Sequence, residues 1–150
     1  MNLRVAALPA LLAAAAGALA ADASVARYKK HQLSDQFLCE GSAFGDFNRD
    51  GKMDVVAGPY WYAGPDFKQR HEIYPASVYD PLKYSENFFA FPHDFNGDGW
   101  TDILILGFPG VDASWYENPG YKGTAWRRKV VFLPVDNESP TFGDLLGSKQ

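Results

Sequence analysis

The chain has 150 residues, a formal net charge of −4 at pH 7 and one cysteine. Hydrophobic residues make up 47% and aromatic residues 15%, which excludes an intrinsically disordered chain. The acidic balance argues against nucleic-acid binding, which depends on basic side chains. The single cysteine, Cys39, excludes both a disulfide framework and a zinc site built from several cysteines.

The first 20 residues have the pattern of a secretory signal peptide. Arg4 gives a positive start, residues 5–16 are mostly Ala, Leu and Val, and Ala18-Leu19-Ala20 forms an A-x-A cleavage signature. The apolar run is short for a membrane-spanning helix, which needs about 20 residues. We therefore predict that residues 1–20 are removed and that the mature chain, residues 21–150, is secreted to the periplasm, the medium or the cell surface. It has no predicted membrane span after cleavage.

A motif of 17 to 19 residues occurs twice in the mature chain. Residues 42–58 contain an Asp/Asn/Gly-rich loop followed by an aliphatic run, and residues 89–107 contain the same sequence pattern. Asp46 and Asp94 are equivalent positions, 48 residues apart, and a third motif begins at residues 140–145. A period of 40–50 residues is the size of one four-stranded propeller blade. The predicted repeats lie near residues 41–76 and 88–136, with an incomplete one from residue 138.

The remaining pattern predicts an all-β mature chain without long helices. Short aliphatic or aromatic runs indicate strands at residues 55–57, 88–91, 103–106 and 129–133, of which 55–57 and 103–106 look buried on both faces. Three basic segments also look strand-like, at residues 27–33, 67–73 and 126–132. Residues 74–87 form one long polar connection. The repeated Trp-Tyr pairs at residues 61–62 and 115–116 favour packing between repeats over a sugar-binding surface.

The Asp/Asn/Gly-rich loops predict two calcium sites. Calcium prefers six to eight oxygen ligands, and oxygen-bearing residues at alternate positions of a tight loop can point at one centre. The first, third, fifth and ninth positions supply side-chain oxygens, and the seventh supplies its backbone carbonyl. The predicted ligands of the first loop are Asp46, Asn48, Asp50, Lys52 and Asp54, and those of the second are Asp94, Asn96, Asp98, Trp100 and Asp102. Calcium would be structural, at about two ions per chain.

An EF-hand and an ordinary turn are the two alternative interpretations of these loops. An EF-hand requires Glu at the twelfth position and a following helix, whereas these loops carry Ala57 and Ile105 there and lead into strands. Ordinary turns are the second alternative, because Asp, Asn and Gly also dominate turns. The third motif lacks ligands after Asp144, where Leu146 and Ser148 stand, and we predict no metal there.

These loops and their flanking residues resemble the FG-GAP or VCBS repeat of secreted β-propellers, which also builds the N-terminal propeller of integrin α subunits. The resemblance covers residues 26–150 and includes the segments at residues 58–62, 112–119 and 136–140. It implies a propeller, often of seven blades, with a calcium loop between strands of a blade. Two blades and the start of a third would then form part of a seven-bladed propeller. The chain's partners would be the remaining blades, or further copies of itself.

The resemblance implies a calcium-binding propeller that acts as a binding or scaffold module for a carbohydrate or protein ligand. Two alternatives stay open: the propeller portion of a secreted polysaccharide-active enzyme, such as a lyase, and a cell-surface adhesion module. An enzymatic function is the less favoured interpretation, because the sequence shows no recognisable group of catalytic residues.

Overall fold

The structure is a computed structural model that describes residues 28–120, 123, 125–136 and 139–147. The described residues from 31 onward belong to one compact unit. The predicted signal peptide lies outside the described residues. Within the described ranges, no helix has the length and apolar character that crossing a bilayer requires.

Residues 31–150 form two four-stranded sheets. The first contains β1 (Ser42–Gly45), β2 (Asp54–Ala57), β3 (Tyr60–Tyr62) and β4 (Arg70–Glu72). The second contains β5 (Phe89–His93), β6 (Asp102–Leu106), β7 (Val111–Glu117) and β8 (Arg127–Val135). Each sheet is an antiparallel meander in which strands adjacent in sequence are neighbours. The all-β prediction is therefore confirmed for the part of the chain that the structure describes.

The strand predictions are largely confirmed, with two corrections. β2, β5, β6 and β8 cover most of the predicted runs, although β5 and β8 extend further than predicted. Residues 28–33 form no strand, because they are mostly exposed and pair with no neighbouring strand. Of the basic segment at 67–73, only Arg70–Glu72 pairs with β3. No strand occurs among the described residues 139–147.

The main hydrophobic core lies between the two sheets. Strand side chains alternate between faces, so Val56 and its cross-strand partner Trp61 share the face that meets the second sheet. The second sheet contributes Ile103 and Tyr116, which are also cross-strand partners. Buried members of this core are Phe47, Val56, Ile73, Ala90, Ile103, Ile105 and Tyr116. Of the two Trp-Tyr pairs, Trp61 and Tyr116 pack at this core, whereas Tyr62 is buried elsewhere and Trp115 is half-buried.

The prediction that the central strands are buried on both faces is wrong in part. In β6, Ile103 and Ile105 are buried, whereas Leu104 and Leu106 on the opposite face are half-buried. Alternation leaves one face of the strand against the core. Among the described residues, no third sheet covers the other face.

The first strands of the two sheets, β1 and β5, contact each other. Gly41, just before β1, brings the chain close to the second sheet, since a Cβ atom built at this glycine would lie 2.8 Å from the Cα of Phe89. The N–H groups of Glu40 and Gly41 both donate to the carbonyl oxygen of Asn87, at 3.1 and 3.0 Å. These contacts join the first strands of the two sheets at the ends opposite the β1–β2 and β5–β6 loops.

Candidate metal centre

The first Asp/Asn/Gly-rich loop joins β1 to β2, and its side-chain oxygens accept hydrogen bonds from its own backbone. The Asp50 N–H donates to Asp46 Oδ1 (3.1 Å) and to Asn48 Oδ1 (3.0 Å). The Gly51 N–H donates to Asp46 Oδ2 (2.9 Å), and the Lys52 N–H donates to Asp50 Oδ1 (2.9 Å). The oxygens of the first and third positions therefore converge on one N–H group.

The second loop, between β5 and β6, repeats this hydrogen-bond pattern. The Asp98 N–H donates to Asp94 Oδ1 (3.1 Å) and to Asn96 Oδ1 (2.9 Å). The Gly99 N–H donates to Asp94 Oδ2 (2.7 Å), and the Trp100 N–H donates to Asp98 Oδ1 (2.9 Å). Four corresponding bonds agree within 0.2 Å in two loops that differ at several other positions.

The loops also share two positions with left-handed backbone. At the sixth position, Gly51 and Gly99 have φ values of 81° and 86°. At the fourth position, Gly97 has φ 74°, and the equivalent residue of the first loop, Arg49, has φ 59°. Glycine adopts this region without steric cost, whereas a residue with a side chain is strained there. The sequence motif marks position six by a glycine in both loops, whereas position four, with Arg49 in one loop and Gly97 in the other, carries no such mark.

The ninth position of the first loop, Asp54, is completely buried. Its Oδ2 accepts the N–H of Phe47 (2.9 Å), and its Oδ1 accepts the N–H of Gly64 (2.8 Å). Burial raises the pKa of this carboxyl group, the two N–H groups lower it, and the nearby carboxylates of Asp50 and Asp46 raise it further. Asp54 therefore links the loop, through Phe47, to the chain that leaves β3, through Gly64. Two further carboxylates, those of Asp50 and Asp46, lie close enough to repel its negative charge.

Asp102 has the equivalent role in the second loop. It is also completely buried, and its oxygens accept the N–H groups of Phe95 (3.1 Å) and Asn118 (2.8 Å). Burial raises the pKa of Asp102, the N–H groups of Asn118 and Phe95 lower it, and Asp98 raises it. Among the described residues, neither Asp54 nor Asp102 forms an ion pair with Lys or Arg. A buried carboxylate is costly unless a positive charge or several hydrogen bonds compensate it.

The backbone donors to these two aspartates were missed by sequence reasoning. Gly64 and Asn118 occupy the same place in the two Trp-Tyr-x-x-Pro segments, three residues after Trp61 and Trp115. The two segments share Trp, Tyr and Pro at the same spacing, and aligning them identifies Gly64 and Asn118 as equivalent residues. Only the cross-strand register shows that their N–H groups reach the ninth loop position.

The two loops contact each other directly. The guanidinium carbon of Arg49, in the first loop, lies 5.3 Å from the centre of the Trp100 ring, in the second. The Nδ2 of Asn118 donates to the carbonyl oxygens of Phe47 and Thr101, both at 2.9 Å, and so joins the two sheets at the loops. The two candidate sites thus belong to one structural element.

The second loop has an additional carboxylate nearby. Glu117 Oε1 lies 3.4 Å from Asn96 Nδ2, and Glu117 Oε2 lies 2.8 Å from Lys129 Nζ. The hydrogen bond from Lys129 is the main cause that lowers the pKa of Glu117. The equivalent residue of the first loop is Ala63. The two loops therefore differ in local charge although their hydrogen bonds agree.

The residues present fit calcium in donor type and in free lone pairs. A carboxylate has about four lone-pair sites, so hydrogen bonds to two N–H groups leave Asp46 and Asp54 able to accept a cation. Their positions fit less closely: among the described residues, no three His, Cys, Asp or Glu side chains lie near enough to share one ion. The carboxylates of each loop would have to move together around calcium. The ten predicted ligands stay a prediction, including the carbonyls of Lys52 and Trp100.

The third motif has no comparable loop among its described residues. Asp144 Oδ1 accepts the N–H of Leu146 (3.1 Å), an ordinary turn contact, and the Leu146 side chain is exposed.

Comparison with known proteins finds no matching family model, no matching curated protein and no matching solved structure.

Proposed function

We propose that the two sheets are consecutive blades of a secreted, calcium-stabilised β-propeller of the FG-GAP or VCBS type, which acts as a binding or scaffold module. The observation that carries the proposal is the shared hydrogen-bond pattern of the two loops, which lie at the same place in two four-stranded meanders. Four antiparallel strands in sequence order are also the composition of a propeller blade. Contact between the innermost strands, β1 and β5, is consistent with blades arranged around an axis.

Calcium would act as a structural ion in this proposal. Each loop connects the first and second strands of its sheet, and its ninth residue also holds the chain that leaves the third strand. An ion bound by one loop would therefore fix three strands at once. It would also offset the repulsion between the loop's carboxylates and Asp54 or Asp102. Because the unfolded chain has no formed site, binding free energy adds to folding free energy.

The partner would be a further blade on the open face of the second sheet, supplied by more chain or by a second copy. Phe95 lies 6.1 Å from Trp115 in its own sheet, just as Phe47 lies 6.2 Å from Trp61. Phe47 also contacts Trp126 of the following sheet at 6.3 Å, and Phe95 contacts Phe142 at 5.6 Å. Phe142 belongs to the start of the third motif, so its contact with Phe95 supports a following blade on this face of the second sheet.

Thermal unfolding with calcium and with a chelator tests the proposed role of the ion. At a calcium concentration of about 100 times the dissociation constant, one site should stabilise the fold by about 2.7 kcal/mol. Asp98→Asn should remove much of this gain, because it replaces a charged ligand of the second loop. Asp80→Asn is the matched control, since Asp80 Oδ1 also accepts an N–H two residues later, from Leu82 at 3.0 Å. Equal calcium stabilisation of both variants would overturn the assignment.

A further inference from the structure

The long connection between the sheets, residues 74–87, forms one wall of a cleft that lies away from the calcium loops. After β4 the chain runs along the second sheet, where the ring of Tyr74 lies 4.8 Å from that of Tyr116. The opposite wall comes from β6, β7 and β8, and the volume of this open cleft is about 440 Å³. Small-molecule sites are typically about 300–1,000 Å³. This connection cleft is lined by Tyr74, Glu86, Asp112, Ser114, Tyr116 and Arg128, among other residues.

Two hydroxyl groups of the connection cleft have hydrogens left to donate. The Nδ2 of Asn87 donates to Tyr74 Oη (2.8 Å), and the Nε of Arg128 donates to Ser114 Oγ (3.0 Å). Each hydroxyl oxygen is therefore an acceptor, and neither O–H donates to an acceptor in the part of the chain that the structure describes. Ser114 and Asn87 are each only 3% exposed, so these groups are held in place by the interior of the fold. Burial also raises the pKa of Tyr74, which keeps its hydroxyl protonated.

The charges of the connection cleft restrict the ligand further. Arg128 Nη2 lies 2.5 Å from Asp112 Oδ2, so this cation already has an anionic partner. Glu86 adds a second carboxylate to the lining, which disfavours an anionic ligand. A simple cation offers no lone pairs to the two free O–H groups. The acceptor that suits them is therefore an uncharged atom with lone pairs, such as a hydroxyl or ether oxygen.

We propose that the connection cleft binds a neutral sugar ring. Hydroxyl and ether oxygens of a pyranose would accept hydrogen bonds from Tyr74 and Ser114, and its own hydroxyls would donate to Glu86 and Asp112. Its apolar C–H face would pack on the half-buried ring of Tyr74, which the buried ring of Tyr116 supports from behind at 4.8 Å. The proposal rests on the role as a binding module proposed above, for which it names a ligand class. It shares no residue with the calcium loops.

The test is a titration of the full chain with the methyl glycosides of glucose, galactose, mannose and N-acetylglucosamine, followed by saturation-transfer NMR. A single ring with few hydrogen bonds should bind in the millimolar range, so concentrations up to about 50 mM are needed. Tyr74→Phe and Ser114→Ala each remove one donor and should weaken binding by about threefold to tenfold. Tyr84→Phe removes an exposed hydroxyl outside the cleft lining and should leave binding unchanged.

Two results would overturn the sugar proposal. One is the absence of saturable binding to any of the four glycosides by a sample whose circular dichroism shows folded β structure. The other is binding that neither Tyr74→Phe nor Ser114→Ala weakens, although both variants melt within a few degrees of the parent chain. Calcium-dependent melting is measured on the same samples. A sample that gains stability from calcium but binds no sugar refutes the connection cleft alone, and the reverse result refutes the calcium loops alone.

Discussion

Substitution of Phe47 by alanine tests the packing between the two sheets, and Phe95 offers a matched comparison. Both residues occupy the second position of a loop, and the backbone N–H of each donates to the buried ninth-position aspartate. Their surroundings differ, because Phe47 is 2% exposed between the sheets whereas Phe95 lies on the half-open face. Alanine keeps the N–H in both cases, so the comparison isolates the buried ring.

The expected cost of Phe47→Ala is about 3–5 kcal/mol, the usual range for a fully buried phenylalanine that contacts other aromatic rings. Its ring centre lies 6.2 Å from Trp61 and 6.3 Å from Trp126, and both contacts would be lost. Phe95→Ala should cost about 1–2 kcal/mol, because a half-buried ring has less apolar area to lose. A total stability of about 5–15 kcal/mol makes the first loss severe.

Urea denaturation followed by tryptophan fluorescence measures both costs, with calcium in excess throughout. With a urea slope of about 1–3 kcal/mol/M, Phe47→Ala should lower the midpoint by about 1–5 M. The midpoint of Phe95→Ala should fall by less than half as much. Equal losses in the two variants, or a larger loss for Phe95→Ala, would refute the described packing of the sheets.

Three further predictions concern the residues that frame the loops. Gly64→Ala should lower the free energy of unfolding by about 3 kcal/mol or more, because the added Cβ would lie 2.0 Å from the carbonyl oxygen of Met53. Gly143→Ala is the control: its added Cβ meets nothing within 4 Å, so the melting temperature should stay unchanged. Asn118→Ala should lower the free energy of unfolding, measured by chemical denaturation, by about 2–4 kcal/mol, because two backbone carbonyls lose their hydrogen-bond donor. A loss below about 0.5 kcal/mol would contradict the role of Asn118 as a bridge between the sheets. Burial raises the pKa of the Cys39 thiol to about 11, so at pH 8 the folded chain should react with iodoacetamide about a hundredfold more slowly than the urea-unfolded chain. The rate of the folded chain should increase with pH until the pH exceeds 11. Equal rates for the folded and unfolded chains would contradict the burial of Cys39.

The central strands could be predicted from the sequence because their signal is local. β2 and β6 are aliphatic runs between an Asp and a Gly, and burial on at least one face selects such residues. The basic segments were less informative. Residues 28–33 and 70–72 have similar composition, yet only the second pairs with a strand. Strand pairing depends on a partner that is distant in sequence, so composition cannot distinguish the two segments.

The loop positions could also be predicted, but their supporting contacts could not. The spacing of Asp46 and Asp54 identifies a loop, and the copy at Asp94 and Asp102 reinforces it. The contact from Asn118 to the first loop joins residues 71 positions apart and depends on how the sheets pack. The connection cleft is a similar case. Residues 74–87 are visibly a long connection, but their placement along the second sheet follows from tertiary contacts such as that between Tyr74 and Tyr116.

Calorimetric titration of the folded chain with calcium is the most direct test of the proposed calcium-stabilised propeller. We expect about two ions per chain, and about one for Asp98→Asn, because its first loop stays intact. Asp80→Asn should keep two ions. A folded parent chain that releases no binding heat and shows no calcium by metal analysis after gel filtration in calcium would contradict the account. The two loops would then be turns held by Asp and Asn side chains alone.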